Sequence, residues 1–261
     1  MPIQKTICEQ LNESSEYIKQ WLVSQPSVKE ESLTDWLLYH VSLNVPSVLY
    51  HAFTRHEEAR KTGADWEWWL LFKEQSMRLR VQAKKVLPTG DNYPGLAHTN
   101  RYGLQIDMLR ADAKKANALA IYALYYSQSL QTLCGNRPSQ TDSVYLAGAN
   151  RLNTDFIIGV RQSITAADLL LRSVPLPCIA CCPHARDPSD RLSRFFETYF
   201  ASELEEPEGR NIQRGIHSQL PAYVSSLLEH RGESIPDWWE KDFQSSIQEF
   251  NAILIYDYRN V

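Results

Sequence analysis

Residues 65–86, DWEWWLLFKEQSMRLRVQAKKV, contain two strand-like segments separated by a short polar turn. The first segment, residues 65–72, is rich in aromatic and aliphatic side chains. The second, residues 77–86, alternates apolar and polar residues, which is the period-two pattern of a strand with one buried face. Because only residues 73–76 lie between the segments, we predict an antiparallel β-hairpin.

The polar side chains of this hairpin are expected to share one face. If the strands pair directly at the four-residue turn, Asp65 lies opposite Lys84 and Glu67 lies opposite Gln82. Alternate residues of a strand point to the same side, so all four side chains fall together. A slip of one residue would separate Asp65 from Lys84, and the pattern therefore constrains the face more firmly than the exact register.

The residues after the hairpin indicate the fold class. A helix is predicted over residues 99–117 and a continuous apolar strand over residues 119–126, which completes an α/β unit. We expect one α/β domain over residues 1–261, with a central mixed β-sheet flanked by helices, a core over about 30–127 and a C-terminal α/β elaboration over about 128–261. Further predicted elements are helices over residues 3–24, 31–43, 166–173, 191–200, 221–230 and 238–250, and strands over residues 155–160, 177–182 and 252–258.

Composition excludes several classes of protein. The chain has 27 Lys and Arg against 31 Asp and Glu, a formal net charge of −4, which argues against attraction of the whole molecule to phosphate. No apolar run approaches the ~20 residues of a membrane helix, and the N-terminal residues lack the apolar segment of a signal peptide. We therefore expect a cytoplasmic protein without a membrane partner.

The shared polar face carries residue types that suit phosphodiester hydrolysis. Asp65 and Glu67 offer carboxylates and Gln82 offers an amide oxygen, and oxygen ligands are what Mg²⁺ prefers. Such an ion neutralises the charge that develops on phosphate and generates hydroxide from water. A lysine such as Lys84 can stabilise that charge or hold the water. The face therefore predicts a nuclease site with Mg²⁺ or Mn²⁺ as the cofactor.

The segments GADWEW, residues 63–68, and QAK, residues 82–84, resemble the PD-(D/E)xK, restriction-endonuclease-like nucleases. The resemblance implies a restriction-endonuclease-like core in which Asp65 binds metal and Lys84 orients or activates water. Gln82 departs from the family pattern, because an acidic residue usually stands there. This Gln-x-Lys pattern resembles that of Mrr-like branches of the superfamily. The loss of one negative charge is expected to weaken metal affinity.

The same resemblance implies a metal-binding glutamate on a helix. We expect Glu31, at the start of the predicted helix, to fill this place. Glu57 and Glu58 are rivals, and Glu67 can also supply the missing carboxylate. These alternatives stay open at the level of the sequence.

A basic segment surrounds the predicted catalytic strand. Residues 76–115 contain eight Lys and Arg against three Asp, a net charge of +5 within a chain of net charge −4. Positive side chains beside a metal site are suited to holding phosphates. Gln105 is similarly placed to a glutamine of RecB-like nucleases, which implies contact with DNA or support of the lysine. The residues expected to contact nucleic acid are Arg78, Arg80, Lys85 and Gln105.

Cysteine and tryptophan clusters have less specific explanations. The five cysteines do not predict a disulfide framework, and the cluster over residues 178–184 lacks the second ligand pair of a zinc site. Buried strand cysteines are favoured instead. Trp66, Trp68 and Trp69 are expected to pack in the core or against a partner rather than to stack on bases.

Three hypotheses for the function follow. The leading one is a Mg²⁺-dependent endonuclease that cuts DNA, and the resemblance implies a role in bacterial restriction or anti-phage defence. The second is a non-catalytic module of the same fold that senses nucleic acid or a partner protein, which the uncharged Gln82 favours. The third is a metabolic or structural protein. A protein partner or a homodimer is compatible with the first two.

Overall fold

The computed structural model describes residues 4–53, 59–86, 94–135, 141–158, 164–182, 194–204, 214–231, 233 and 235–259. Within these ranges an eight-stranded mixed sheet is flanked by helices, which confirms the predicted α/β class. Its strands are β1 Val48–Ala52, β2 Trp66–Leu71, β3 Ser76–Lys85, β6 Leu119–Tyr125, β7 Val144–Gly148, β8 Ser173–Pro175, β9 Ile216–His217 and β10 Ala252–Asp257. A separate small hairpin consists of β4 Thr99–Asn100 and β5 Gly103–Leu104.

The order of the strands places β10 second from one edge of the sheet, between β1 and β2. Neighbours follow the order β1-β10-β2-β3-β6-β7-β8, and β9 pairs with β3. The pairs β10–β2 and β3–β6 are parallel, whereas β2–β3 and β1–β10 are antiparallel. A strand from the C-terminal part of the chain therefore joins two strands from its N-terminal part.

The predicted hairpin is present, but its register differs from the prediction by two residues. Trp66 pairs with Val81, so Asp65, one residue before β2, lies beside Gln82 rather than opposite Lys84. The turn is tighter than expected, because the backbone N–H of Phe72 donates to the carbonyl of Gln75 and extends the pairing. Since the shift is an even number of residues, the predicted common face is confirmed.

Helices cover both sides of this sheet. They are α1 Ile7–Ser24, α2 Glu30–Ser42, α3 Ala59–Thr62, α4 Gln105–Lys115, α5 Ala149–Leu152, α6 Ala166–Leu170, α7 Cys178–Cys181, α8 Phe196–Tyr199, α9 Ala201–Leu204, α10 Ala222–Glu229 and α11 Asp237–Ile247, with a 3₁₀ turn at Pro94–Ala97 and a π-helical segment at Asn153–Ile158. None of the described helices is long and apolar enough to cross a membrane.

Alternate residues of β2 separate two layers of core. Trp66 and Trp68 pack with α1 and α2 on one face. Trp69 packs with α10 and α11 on the other face, where α4 covers Tyr122 of β6. All three tryptophans are buried, which confirms that they serve packing. Asp65, Gln82 and Lys84 share the face of Glu67, and Gln105 of α4 contacts Gln82 there.

Several local predictions are wrong. Residues 177–182 form α7 rather than a strand, since a short apolar run has no decisive period and Pro177 suits the start of a helix. Residues 155–160 were predicted as a strand, but their described part belongs to the π-helical segment. The helix predicted from residue 99 begins at Gln105, because the small β4–β5 hairpin precedes it. The strands β1 and β7 were not predicted.

The cysteine expectation also needs a correction. Cys8 of α1 and Cys181 of α7 form a disulfide, with their Cα atoms 5.5 Å apart. Cys134, Cys178 and Cys182 are free and buried. The bond joins the N-terminal helix to the C-terminal elaboration, a contact between distant segments that spacing alone does not indicate.

Candidate active site

A polar cleft opens where β2 begins and β3 ends. It has a volume of about 950 Å³ and is lined by residues from six parts of the chain. These are α2, the C-terminal part of β1, the turn before β2, the C-terminal part of β3, the β4–β5 hairpin with the start of α4, and the start of β10. The lining side chains considered below are Glu30, Glu31, Asp35, Asp65, Gln82, Arg101, Tyr102 and Gln105.

Asp65 lies at the centre of the polar contacts. Its Oδ2 accepts hydrogen bonds from the Gln82 Nε2 at 2.6 Å and from the backbone N–H of Ala83 at 2.7 Å. Its Oδ1 has no hydrogen-bond partner among the described residues. One oxygen of the carboxyl group is thus fixed by β3, and the other is available to a ligand in the cleft.

The environment of Asp65 favours its protonated form. Burial raises the pKa of its carboxyl group to about 7, and the hydrogen bond from Ala83 and the charge of Lys84 oppose that rise only in part. The carboxylates of Glu30 and Glu31 raise the pKa further. A cation bound at Asp65 would reverse this preference, because positive charge stabilises the carboxylate.

Two glutamine amides hold Asp65 in position. Gln105 donates from Nε2 to the Gln82 Oε1 at 2.8 Å, and Gln82 in turn donates to Asp65. Gly63 makes this arrangement possible. Its φ is +73°, and a Cβ there would lie 2.9 Å from the Gln105 carbonyl oxygen, so only glycine lets α4 approach this closely. Gln105 therefore supports the site through Gln82.

The helical glutamate beside the lysine is Glu30 rather than the predicted Glu31. Lys84 Nζ lies 3.4 Å from Glu30 Oε1, and the backbone N–H of Lys85 donates to Glu30 Oε2 at 2.6 Å. Glu30 is the first residue of α2, which begins one residue earlier than predicted. Glu31 is exposed and lines the same cleft. Glu57 and Glu58 lie outside the described residues.

Glu67 lies away from the cleft. Its carboxylate is fully buried and pairs with Arg78 at 2.7 Å and with Arg80 at 3.2 Å. Trp69 Nε1 donates to it at 2.6 Å, and the hydroxyl of Tyr223 donates as well. Burial alone would raise the pKa of Glu67, but the two guanidinium groups hold it below its usual value. Glu67 does not line the cleft, and both of its carboxylate oxygens already accept hydrogen bonds from protein donors, so its place is in the buried network.

The two arginines that were predicted to grip phosphates are also part of this buried network. Arg80 is fully buried and pairs with Asp112 at 3.1 Å and with Glu249 at 3.0 Å, in addition to Glu67. Arg78 donates to the carbonyl of Ala116 at 2.7 Å. Arg80 is sealed from solvent, and the partly buried guanidinium of Arg78 already donates to Glu67, Ala116 and Tyr223, so neither arginine is placed to hold a phosphate.

Lys85 and Tyr122 have supporting positions. Lys85 donates from Nζ to the carbonyls of Pro26 at 2.8 Å and Val28 at 2.6 Å, and so anchors the segment before α2. Tyr122 is fully buried on β6 beside Gln82, and its hydroxyl has no hydrogen-bond partner among the described residues. Neither side chain is placed to contact a long substrate.

The prediction missed the cleft residues of the β4–β5 hairpin. Asn100, Arg101 and Tyr102 line the cleft, although the segment was predicted as helix. The sequence held a signal for the turn, because an Asn followed three residues later by Gly is typical of a tight turn.

The cleft offers oxygen ligands that suit a hard divalent cation. No group of three or more His, Cys, Asp or Glu placed to hold a metal is found within the described ranges. Mg²⁺ commonly keeps several waters and binds through one or two carboxylates. Asp65 has an available oxygen, and Glu30 and Glu31 lie near enough to shift its pKa. The donor chemistry therefore fits Mg²⁺, with Asp65 and one of these glutamates as the residues that would hold it.

Comparison with known proteins gives a family without a known activity. The model described as "Family of unknown function (DUF6615)" matches residues 5–258. No curated protein matches the sequence.

Proposed function

The chain belongs to DUF6615, a family of unknown function, and we propose that it is a Mg²⁺- or Mn²⁺-dependent nuclease that hydrolyses phosphodiester bonds in DNA. One observation carries the proposal: Asp65, Gln82, Lys84 and Glu30 meet at the same end of the sheet. Their spacing in GADWEW and QAK resembles that of PD-(D/E)xK nucleases. A role in bacterial restriction or anti-phage defence rests on that resemblance alone.

Each residue has a part in the proposed reaction. Asp65 with Glu30 or Glu31 would hold a Mg²⁺ ion, which would neutralise charge at the phosphate and make water more acidic. Lys84 Nζ, fixed beside Glu30, orients the attacking water and stabilises negative charge on the scissile phosphate. Gln82 and Gln105 keep Asp65 in one orientation. Positioning of this kind lowers the entropic part of the barrier.

The direct test is cleavage of supercoiled and single-stranded circular DNA by the purified protein. We expect cutting with Mg²⁺ or Mn²⁺ and none with EDTA. Asp65→Asn and Lys84→Ala should each lower the rate by roughly 100-fold or more. The matched controls are Asp107→Asn and Lys73→Ala, since both residues are exposed and lie outside the cleft. The proposal would be overturned if Asp65→Asn and Lys84→Ala still cut DNA, or if the wild type did not.

One observation favours a non-catalytic binding module as the second candidate. The Gln82 amide donates to the very carboxylate that a metal would use, whereas an acidic residue there would add a ligand. This candidate predicts salt-sensitive binding of nucleic acid that neither Mg²⁺ nor Mn²⁺ converts into cleavage. Titration of Mn²⁺ into the wild type and Asp65→Asn, followed by calorimetry, separates the two. The nuclease requires Mn²⁺ binding that depends on Asp65.

A further inference from the structure

A cluster of two cations and one aromatic ring stands at the edge of the cleft. Arg101 and Tyr102 form the two-residue turn between β4 and β5, and we call them, with Lys61, the cationic tip. The guanidinium of Arg101 lies 4.7 Å from the centroid of the Tyr102 ring. Lys61 Nζ lies 5.9 Å from the same centroid. Tyr102 is 39% exposed, so part of its ring faces solvent.

The tip is joined closely to the candidate active site. The backbone N–H of Tyr102 donates to Asn100 Oδ1 at 2.8 Å, and the N–H of Gln105 donates to the His98 carbonyl at 3.0 Å, which closes the base of the hairpin. Gln105 is also the first residue of the relay to Asp65. A ligand held by the tip is thereby placed relative to the carboxyl group that we propose to bind metal.

Charge around the cleft is uneven. Glu30, Glu31, Asp35 and Asp65 supply four carboxylates, whereas Arg101 is the one Lys or Arg among the described lining residues. A phosphate chain without bound cations is repelled by the carboxylates and attracted by the cations of the tip, since Lys84 lies beside Glu30. The tip therefore provides the place where a polyanion can be held.

The size of the cleft suits a short segment of nucleic acid. Its volume of about 950 Å³ lies within the range of small-molecule pockets, which is ~300–1,000 Å³. That space accommodates a few nucleotides. Exposed aromatic rings next to arginines bind unpaired bases by stacking, and paired bases do not offer a free face to them.

From these observations we infer that the cationic tip binds single-stranded nucleic acid. The ring of Tyr102 stacks on an unpaired base, and Arg101 and Lys61 contact the adjacent phosphates. The inference deepens the proposed function and rests on it for the claim that the bound strand is a substrate. The chemistry is shared by DNA and RNA, so the experiment includes both.

The test measures fluorescence anisotropy with labelled 12-nucleotide single-stranded DNA, RNA of the same sequence, and the matching DNA duplex. Binding is measured in EDTA, because the chelator prevents metal-dependent cleavage. We expect single strands to bind about 10-fold or more tightly than the duplex. Tyr102→Ala should weaken single-strand binding by about 10-fold, and Tyr102→Trp should restore it. Arg101→Gln should lower the slope of log affinity against log salt by about 0.7.

The matched control is Tyr39→Ala, because Tyr39 is exposed on α2 and outside the cleft. It should bind like the wild type, and thermal melts should show that all variants are folded. An oligonucleotide with 5-iodouracil should crosslink to Tyr102 under ultraviolet light. Equal affinity for the duplex, no effect of Tyr102→Ala, or no binding at all would overturn the inference.

The two proposals fail in different ways. If single strands bind through Tyr102 but no metal supports cleavage, the tip is confirmed as a binding site and the nuclease proposal falls. If the protein cleaves DNA but Tyr102→Ala keeps wild-type affinity for single strands, the nuclease proposal stands and the tip is excluded. A stronger effect of Tyr102→Ala with RNA than with DNA would identify RNA as the preferred strand.

Discussion

Two carboxylates on the same face of one hairpin have opposite environments. Asp65 and Glu67 are two residues apart, and each lies against a polar side chain of β3. Asp65 meets two uncharged glutamines and the open cleft, and its pKa is raised to about 7. Glu67 meets two arginines beneath Tyr223, and its pKa is lowered. The elements that cover each residue decide whether it can serve chemistry or only stability.

The largest effect is expected in the buried network around Glu67. Arg80→Ala would leave the buried Asp112 without its cation and Glu67 with Arg78 alone, at a cost of about 3–5 kcal/mol in the free energy of unfolding. Denaturant titration followed by circular dichroism measures this. Asp65→Asn should unfold at or above the wild-type midpoint, because the native site already favours an uncharged group there.

Lys115→Ala is the matched control for Arg80→Ala. Lys115 is an exposed partner of Glu249 in the same network, so its loss should change the midpoint little. If Arg80→Ala were as stable as this control, the buried network around Glu67 would not contribute to stability as proposed.

The second effect concerns pH and sharpens the contrast in pKa. A metal binds the ionised carboxylate, so Mn²⁺ affinity and cleavage should fall about 10-fold per pH unit below the pKa of Asp65, which is about 7. Stability has the opposite sign. The native state holds a proton that the unfolded state releases above the ordinary aspartate pKa of 3.8, so Asp65 stabilises the fold at low pH and loses that contribution as pH rises to about 7.

Asp65→Asn should remove this stability trend, which unfolding titrations at several pH values would show. Glu67 carries a lowered pKa and should add no change between about pH 6 and 8. Mn²⁺ affinity that is constant across that range would contradict the raised pKa.

The third effect tests the uncharged neighbour of Asp65. Gln82→Glu adds a carboxylate at the cleft and keeps an acceptor for Gln105. We expect Mn²⁺ to bind roughly 10-fold more tightly, with cleavage at lower metal concentration. Gln75→Glu, an exposed change at the hairpin turn, is the control for added charge. Weaker metal binding by Gln82→Glu would mean that the hydrogen bond to Asp65 matters more than the extra ligand.

The smallest effect separates two adjacent glutamates. Glu30 contacts Lys84 and the backbone of Lys85, whereas Glu31 is exposed on the cleft wall. Glu30→Gln should lower the cleavage rate by about 10-fold through loss of lysine positioning. Glu31→Gln should mainly raise the metal concentration required. Measurement of rate against Mg²⁺ concentration distinguishes the two, and identical profiles would remove the proposed division of roles.

The sequence predicted what depends on local pattern. The hairpin, its polar face and the α/β class follow from alternation and turn spacing, and Asp65 and Gln82 do meet. The exact register and the contact of Lys84 with Glu30 each depend on a shift of one or two residues that pattern does not fix.

The burial of Arg78 and Arg80 depends on distant parts of the chain. Tyr223 and Glu249 cover this end of the hairpin, and both come from the C-terminal elaboration. A period-two pattern shows which side chains share a face, but it does not show what packs on that face. A charged residue on a strand is therefore compatible with either a surface or a sealed network.

The place of β10 in the sheet has a consequence for folding during synthesis. This strand lies between β1 and β2, and its first residue, Ala252, lines the cleft together with the preceding Asn251. During synthesis the N-terminal strands emerge long before the one that joins them, and such long-range pairing is intrinsically slow. A nascent or truncated chain that lacks β10 cannot close the cleft. If the cleft is a nuclease site, the nascent chain therefore stays inactive until β10 has been synthesised and has paired with β1 and β2.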